Sequence, residues 1–300
     1  MTALSFSVPK SSKTRRTAID LRLNAKIDPT KTNAIRSRFE RELVRRFRKV
    51  ALEAYEYILN EQNLKPRLKA NAYDYPQAED KVNKFMRWVR RAQDRGILEV
   101  TEGTSTRSGS RRWSDLYIKS AYQKGLASAY GNIRAAGVGV SDSYVDRAFF
   151  RPIHADRAGL IYTRAYNDLE GITTVIDTRL SSVLAQGMIE GVGVQQIARN
   201  IRDSVEVIGI TRSRKLARTE VVRAHAEATL NSYEEAQIEG VDVESEFSTS
   251  QDNKVCPKCS ELEGQTYTLE EARGIIPVHP NCRCAWLPVV PIDMKGREIG

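Results

Sequence analysis

The residues best suited to chemistry lie in the last fifth of the chain: Cys256-Pro-Lys-Cys259, and then His279-Pro-Asn-Cys282-Arg-Cys284. The first 255 residues contain no cysteine, and 22 residues separate Cys259 from Cys282. Thiolates two or three positions apart can face one tetrahedral ion without straining the backbone, and a second pair from a distant turn completes the shell. Five donors compete for four places. A shell of Cys256, Cys259, Cys282 and Cys284 is preferred and leaves His279 outside it. The tight Cys-X-Cys spacing keeps open a shell of three thiolates plus the His279 imidazole. Either is a full set of protein ligands, so a bound Zn2+ is expected to be structural. Lys258 and Arg283 are placed to offset the negative charge. Disulfides or free thiols are the plainer alternative. A catalytic alternative is a metal-dependent, nuclease-like DNA-processing enzyme using His279 with Asp252 or Glu261 and one open coordination position.

The remaining candidates are weaker. His154 and His225 fall in helical stretches and read as core or solvated histidines. Glu220, after Arg218 and Thr219 on a long helix, reads as a buried ion-pair partner. A nucleotide-using transferase working through Arg218 and Glu220 lacks the strand and Gly-rich loop it needs. The two Gly-X-Gly pairs near 137 and 191 read as helix stops.

The elements that position these residues are mostly helical. Apolar residues make up 41% of the chain and charged residues 28%, as in a globular protein. No apolar run is long enough to span a membrane, and the N-terminus reads as the reverse of a secretory signal, which places the thiols in a reducing cytoplasm. Residues 1–31 are expected to be a disordered basic arm, and 32–105 a helical region opened by a stripe of Ile35, Phe39, Leu43 and Phe47. Residues 61–77 read as a loop, 80–98 as a helix and 102–110 as an exposed hinge. A helical body over 110–240 is expected to contain helices at 112–136, 144–170, 173–190, 194–201 and 211–238, with Asp142 or Ser143 as a cap. In the last of these Ala217, Val221, Ala224 and Ala228 form a small-residue stripe for close helix approach. Strands are expected near 241–249, 267–268 and 285–290, inside a β-rich module clasped by zinc over 241–290, with 291–300 a tail. The fold class is therefore mainly α: a helical body with a small C-terminal zinc-stabilised α+β element.

Charge is concentrated at one end. Residues 1–50 hold 14 Lys and Arg against 4 Asp and Glu, which accounts for the whole net charge of +9. Arg15, Arg16, Arg36, Arg38, Arg41, Arg45, Arg46, Arg48 and Lys49 are the candidate nucleic-acid contacts, with an acidic protein face or plain solvation as alternatives.

Leu216-Ala-Arg218-Thr219-Glu220, Asp252-Asn-Lys-Val-Cys256-Pro-Lys-Cys259, Gly264 and Pro277-Val-His279-Pro-Asn-Cys282-Arg-Cys284 together resemble the signature of the phage Mu F-like minor head proteins, also called phage head morphogenesis proteins. The resemblance covers about residues 185–290. Phe247 stands where members often carry tryptophan, and Val278 where a proline often precedes the histidine. The resemblance implies a non-enzymatic minor capsid component of a tailed bacteriophage, found in the virion head and in host cytoplasm during assembly. It implies portal or major capsid protein as partner, with packaged DNA within reach of the basic arm. The small-residue stripe is an alternative docking face.

Overall fold

The computed structural model describes residues 28–60, 75–101, 111–291, 293 and 295–299. Arg15, Arg16, most of the basic arm, most of the 61–77 loop and the 102–110 hinge lie outside them. The described helices are α1 (Asn33–Asn60), α2 (Tyr75–Gly96), α3 (Asp115–Ala135), α4 (Asp142–Ala148), α5 (Pro152–Ile189), α6 (Val194–Ile238), α7 (Pro257–Leu262) and α8 (Leu269–Ala272). The strands are β1 (Val100–Thr101), β2 (Arg111–Arg112), β3 (Gly139–Val140), β4 (Glu244–Ser248), β5 (Thr266–Tyr267), β6 (Ala285–Val289) and β7 (Glu298–Ile299). The fold is mainly α with a small C-terminal α+β region. Among the described residues no helix is long and apolar enough to cross a membrane.

The 45-residue α6 is the spine, against which α1, α3 and α5 pack. The stripe on α1 is buried as its four-residue spacing demands: Phe39, Leu43, Phe47, Val50, Ala54 and Ile58 are all enclosed. Phe47 lies against Gly209 of α6, where an added Cβ would come within 2.7 Å of the ring. The small stripe is consumed inside the protein. Ala217, Val221, Ala224 and Ala228 are fully buried, and Gly125 of α3 sits so close that a Cβ there would lie 2.4 Å from the His225 carbonyl oxygen. That face is therefore not open to a partner.

Several boundaries differ from the sequence reading. Gly171 does not break a helix: α5 runs through it for 38 residues. One interior glycine costs about 1 kcal/mol, less than the burial of Leu169, Ile172 and Ile176 around it returns. The helices expected at 194–201 and 211–238 are one continuous α6, held through the junction by Val205 and Gly209 against the core. The second helix begins at Tyr75, inside the expected loop. Ser141, rather than Asp142 or Ser143, caps α4, its hydroxyl accepting from the Tyr144 N–H at 3.2 Å. The α5–α6 turn is made at Gly191, with φ +67°. There the Val192 N–H reaches back to the Gly187 carbonyl at 2.8 Å, the glycine-dependent stop anticipated for that motif.

The C-terminal region is a three-stranded antiparallel sheet in the order β5-β4-β6, with Phe247 opposite Trp286 and Ser245 opposite Tyr267. Its buried face presses Trp286 against Phe247 and Tyr267 in edge contacts at 5.6 and 5.7 Å. The stretch expected to be a tail returns to the helical body, where β7 pairs in parallel with β3.

Candidate metal centre

The sheet sends two loops to one place. The Ser248–Cys256 loop ends at α7, whose N-cap is Cys256: its sulfur accepts from the Cys259 N–H at 3.4 Å. This bond turns both sulfurs of the Cys-Pro-Lys-Cys segment to the same side. The segment then closes at Gly264, which takes φ +76° and donates to the Phe247 carbonyl at 2.9 Å. A side chain is disfavoured in that left-handed conformation, so the glycine locks α7 to β4. The second loop, entering β6, supplies His279, Cys282 and Cys284.

All five donors meet. Two overlapping triads, Cys256/Cys259/His279 and Cys259/Cys282/Cys284, each hold their ligand atoms within 4.8 Å of one another and share Cys259. His279 Nε2 lies 3.2 Å from the Cys256 sulfur and 3.3 Å from that of Cys259. A tetrahedral ion with ordinary Zn–S and Zn–N bonds separates sulfur from nitrogen by about 3.6 Å, so these edges are close to a coordination shell. His279 Nδ1 lies 2.9 Å from the Pro280 carbonyl oxygen. A carbonyl can only accept, so Nδ1 carries the proton and the lone pair of the neutral ring sits on Nε2, facing the sulfurs. This soft donor set can hold a metal ion.

The electrostatics of the four thiols are unequal. The Cys259 backbone N–H lowers the Cys256 pKa, while burial pushes Cys259 up to about 12. The neighbouring Cys284 thiol draws Cys282 down to about 5, and Cys282 together with burial holds Cys284 above its ordinary value. Burial works against a charged His279 ring, but the bond to Pro280 and the neighbouring Cys282 and Cys256 outweigh it and raise its pKa.

Asp252 and Arg283 tie the two loops together. Arg283, between Cys282 and Cys284, forms a bidentate pair with Asp252 at 2.6 and 2.7 Å. Asp252 also accepts from the Lys254 N–H at 3.0 Å. The Arg283 bond is the chief reason its pKa is lowered. Glu261, the other acid weighed for catalysis, is exposed on α7.

The upstream motif lies elsewhere on α6. Arg218 is exposed and approaches Glu40 of α1 at 3.6 Å. Glu220 is buried and pairs with Arg223 at 3.2 Å, and burial raises its pKa. The Thr219 hydroxyl has no protein partner. The basic residues of α1 divide into two groups. Arg36 is buried and paired with Asp28 at 2.9 Å, and Arg46 is held by Glu42 and by the Trp113 ring 4.2 Å away. Arg38, Arg41, Arg45, Arg48 and Lys49 are exposed.

One polar cluster escaped the sequence reading. The fully enclosed His154 bonds Tyr122 at 2.9 Å and Glu235 at 3.1 Å. Glu235 also takes Arg151 at 2.9 Å and Tyr130. Asn231 continues the chain from Tyr122 at 2.8 Å to Arg273 at 3.0 Å. Arg273 follows α8, so this network joins the helical body to the loop bearing His279. Its members are spread over four elements, and only the lone polar positions on apolar helix faces hinted at it.

No curated protein and no solved structure matches the chain. Residues 178–287 do match the family model described as Phage Mu protein F like protein. That segment contains all five candidate ligands together with Arg218, Thr219, Glu220, Asp252 and Gly264, so the resemblance to the phage Mu F-like head morphogenesis family read from those motifs is upheld.

Proposed function

We propose that this chain is a minor head protein of a tailed bacteriophage, non-enzymatic, with a structural zinc ion clasping its C-terminal region. The observation that carries the reading is the family match over 178–287, whose two C-terminal motif blocks supply one Cys/His cluster. Zinc suits soft sulfur and imidazole donors, and four such ligands leave no open position for water or substrate. The ion would cross-link the Cys256–Cys259 turn to the His279–Cys284 loop, adding stability to the loops at one end of the sheet. The catalytic alternative is disfavoured by Asp252, both of whose carboxylate oxygens are engaged by Arg283.

For the ligands we favour Cys256, Cys259, His279 and Cys282 over the four-cysteine shell. His279 Nε2 already stands over the first pair, and its proton is held on the far nitrogen by Pro280. Cys284 then stands beside Cys282 and Cys259 without binding the ion itself. Elemental analysis of protein never exposed to chelator should find one zinc per chain, and absence of metal would remove the clasp. Cys284→Ser should keep the metal with affinity weakened about 10- to 100-fold. His279→Ala should lose it. Retention in His279→Ala with loss in Cys284→Ser would restore the four-cysteine shell.

In this reading the chain acts in the virion head and in host cytoplasm during assembly. It meets portal or major capsid protein through its helical body, and packaged DNA through the basic arm of residues 1–31. Co-purification with portal or coat protein after co-expression, and presence in purified particles, are the expected results. Absence from the particle would overturn the reading.

A further inference from the structure

We infer that the exposed face of the α1–α6 pair is a binding surface for the phosphate backbone of double-stranded DNA, separate from the N-terminal arm. The two helices run antiparallel: Glu40 lies beside Arg214 and Arg218, Phe47 against Gly209, and Tyr55 beneath the Arg202 guanidinium. Opposite the buried stripe of α1, Arg38, Arg41, Arg45 and Arg48 follow a 3-4-3 spacing, which places all four along one solvent-facing line. At 1.5 Å per residue that line is about 15 Å long.

α6 extends it from a part of the sequence far from the basic N-terminus. Arg214 reaches Glu40 at 2.9 Å and Arg218 reaches it at 3.6 Å, so both guanidiniums lie on the seam beside Arg41. Lys215 is exposed next to them. Within residues 38–49 and 211–218 the only acids are Glu40 and Glu42. Each is engaged in ion pairs, Glu40 with Arg214 and Arg218, Glu42 with Arg45 and Arg46. Seven exposed cations therefore share one ridge.

The partner follows from what the ridge contains and lacks. About 15 Å of duplex carries about nine phosphate charges on its two strands, so this line of cations is long enough to meet several of them. Arginine suits phosphate because its planar fork can bond two oxygens. The aromatic ring beside the cationic line, Tyr117, is half-buried and already stacked on Phe39 at 4.8 Å, which argues against stacking of unpaired bases and so against a single strand. The apolar stripe of α1 is already buried in the core, so the helix has no apolar face to insert into a membrane. Backbone contact without base reading makes this surface indifferent to sequence.

This inference does not depend on the head-protein reading, and its test is independent of it. The full-length protein is titrated against a fluorescent 30-base-pair duplex by anisotropy over a salt series. The variant Arg214→Gln/Lys215→Gln/Arg218→Gln, which leaves residues 1–50 intact, should weaken binding about tenfold or more at low salt and flatten the log–log salt slope by about 3. Glu40→Gln, which frees two guanidiniums, should tighten binding and steepen the slope, an opposite sign that misfolding could not imitate. An unchanged slope in the triple variant overturns the inference. So does an equal loss of affinity for polyglutamate or for phosphatidylserine vesicles, which would assign the ridge to an acidic protein or to a membrane surface.

Discussion

His225 is a single residue whose setting makes a measurable demand on pH. It is enclosed on α6, and neither ring nitrogen has a hydrogen-bond partner in the protein. Burial pushes its pKa down to about 4. The unfolded chain therefore takes up a proton near pH 6.5 that the folded chain refuses until about pH 4. Stability is complete above pH 6.5 and is lost as pH falls toward 4, by about 3 kcal/mol. Urea unfolding of wild type and His225→Leu at pH 7.5 and 4.5 isolates this contribution. The variant should lose about 3 kcal/mol less than wild type between the two pH values, and equal losses would show that the ring is not held neutral. A core histidine was legible from its place in a helical stretch. Its lack of partners was not, because the surrounding groups come from α1 and α3.

At the scale of elements, periodicity identified the helices, and glycine marked their ends correctly at Gly191 but not at Gly171. Gly171 and Gly125 look alike in sequence, each inside a helical pattern. Gly171 faces open space, whereas Gly125 is where α3 meets the His225–Ala228 backbone. The two should respond oppositely to alanine. Gly171→Ala should stabilise the fold by about 0.5–1 kcal/mol, the helix-propensity difference alone. Gly125→Ala should destabilise it by about 1–3 kcal/mol, because a Cβ 2.4 Å from a backbone oxygen must force the helices apart. Denaturant midpoints of the two variants decide the matter, and equal shifts would mean the close approach is not real. The same logic explains why α6 was read as two helices. Across the junction between them Gly209 packs against Phe47, a residue more than 150 positions away. The strands at 244–248, 266–267 and 285–289 were nearly in place because alternation and flanking turns are local signals. Two-residue strands such as β1 and β3 leave no pattern to read.

For the whole molecule, the question is how far the C-terminal cluster and the helical body depend on one another. Spacing in the sequence brought the five donors together. It could not reveal the long-range bonds that bind their loop to α6: Arg273 to Asn231 at 3.0 Å, to Glu227 at 3.4 Å and to Glu234. Beyond Asn231 the same network reaches Tyr122, His154 and Glu235 in the helical core. The apolar core of α1, α3, α5 and α6 side chains continues into the C-terminal region through Val241, Val243, Phe247, Ile276 and Trp286. If a structural zinc ion holds the two loops, its removal should act in steps. Hydrogen exchange after chelation should show protection lost over residues 250–284 and weakened across 227–238, where Arg273 no longer anchors. The α1 core from Phe39 to Ile58 and the α6 stretch from Ile197 to Val221 should stay protected. Loss of protection throughout, in one step, would mean that the clasp is integral to the helical body and that the division near residue 240 is not a physical one. Unchanged protection everywhere would mean that packing of Trp286 and the Asp252–Arg283 pair suffice to hold the loops without metal.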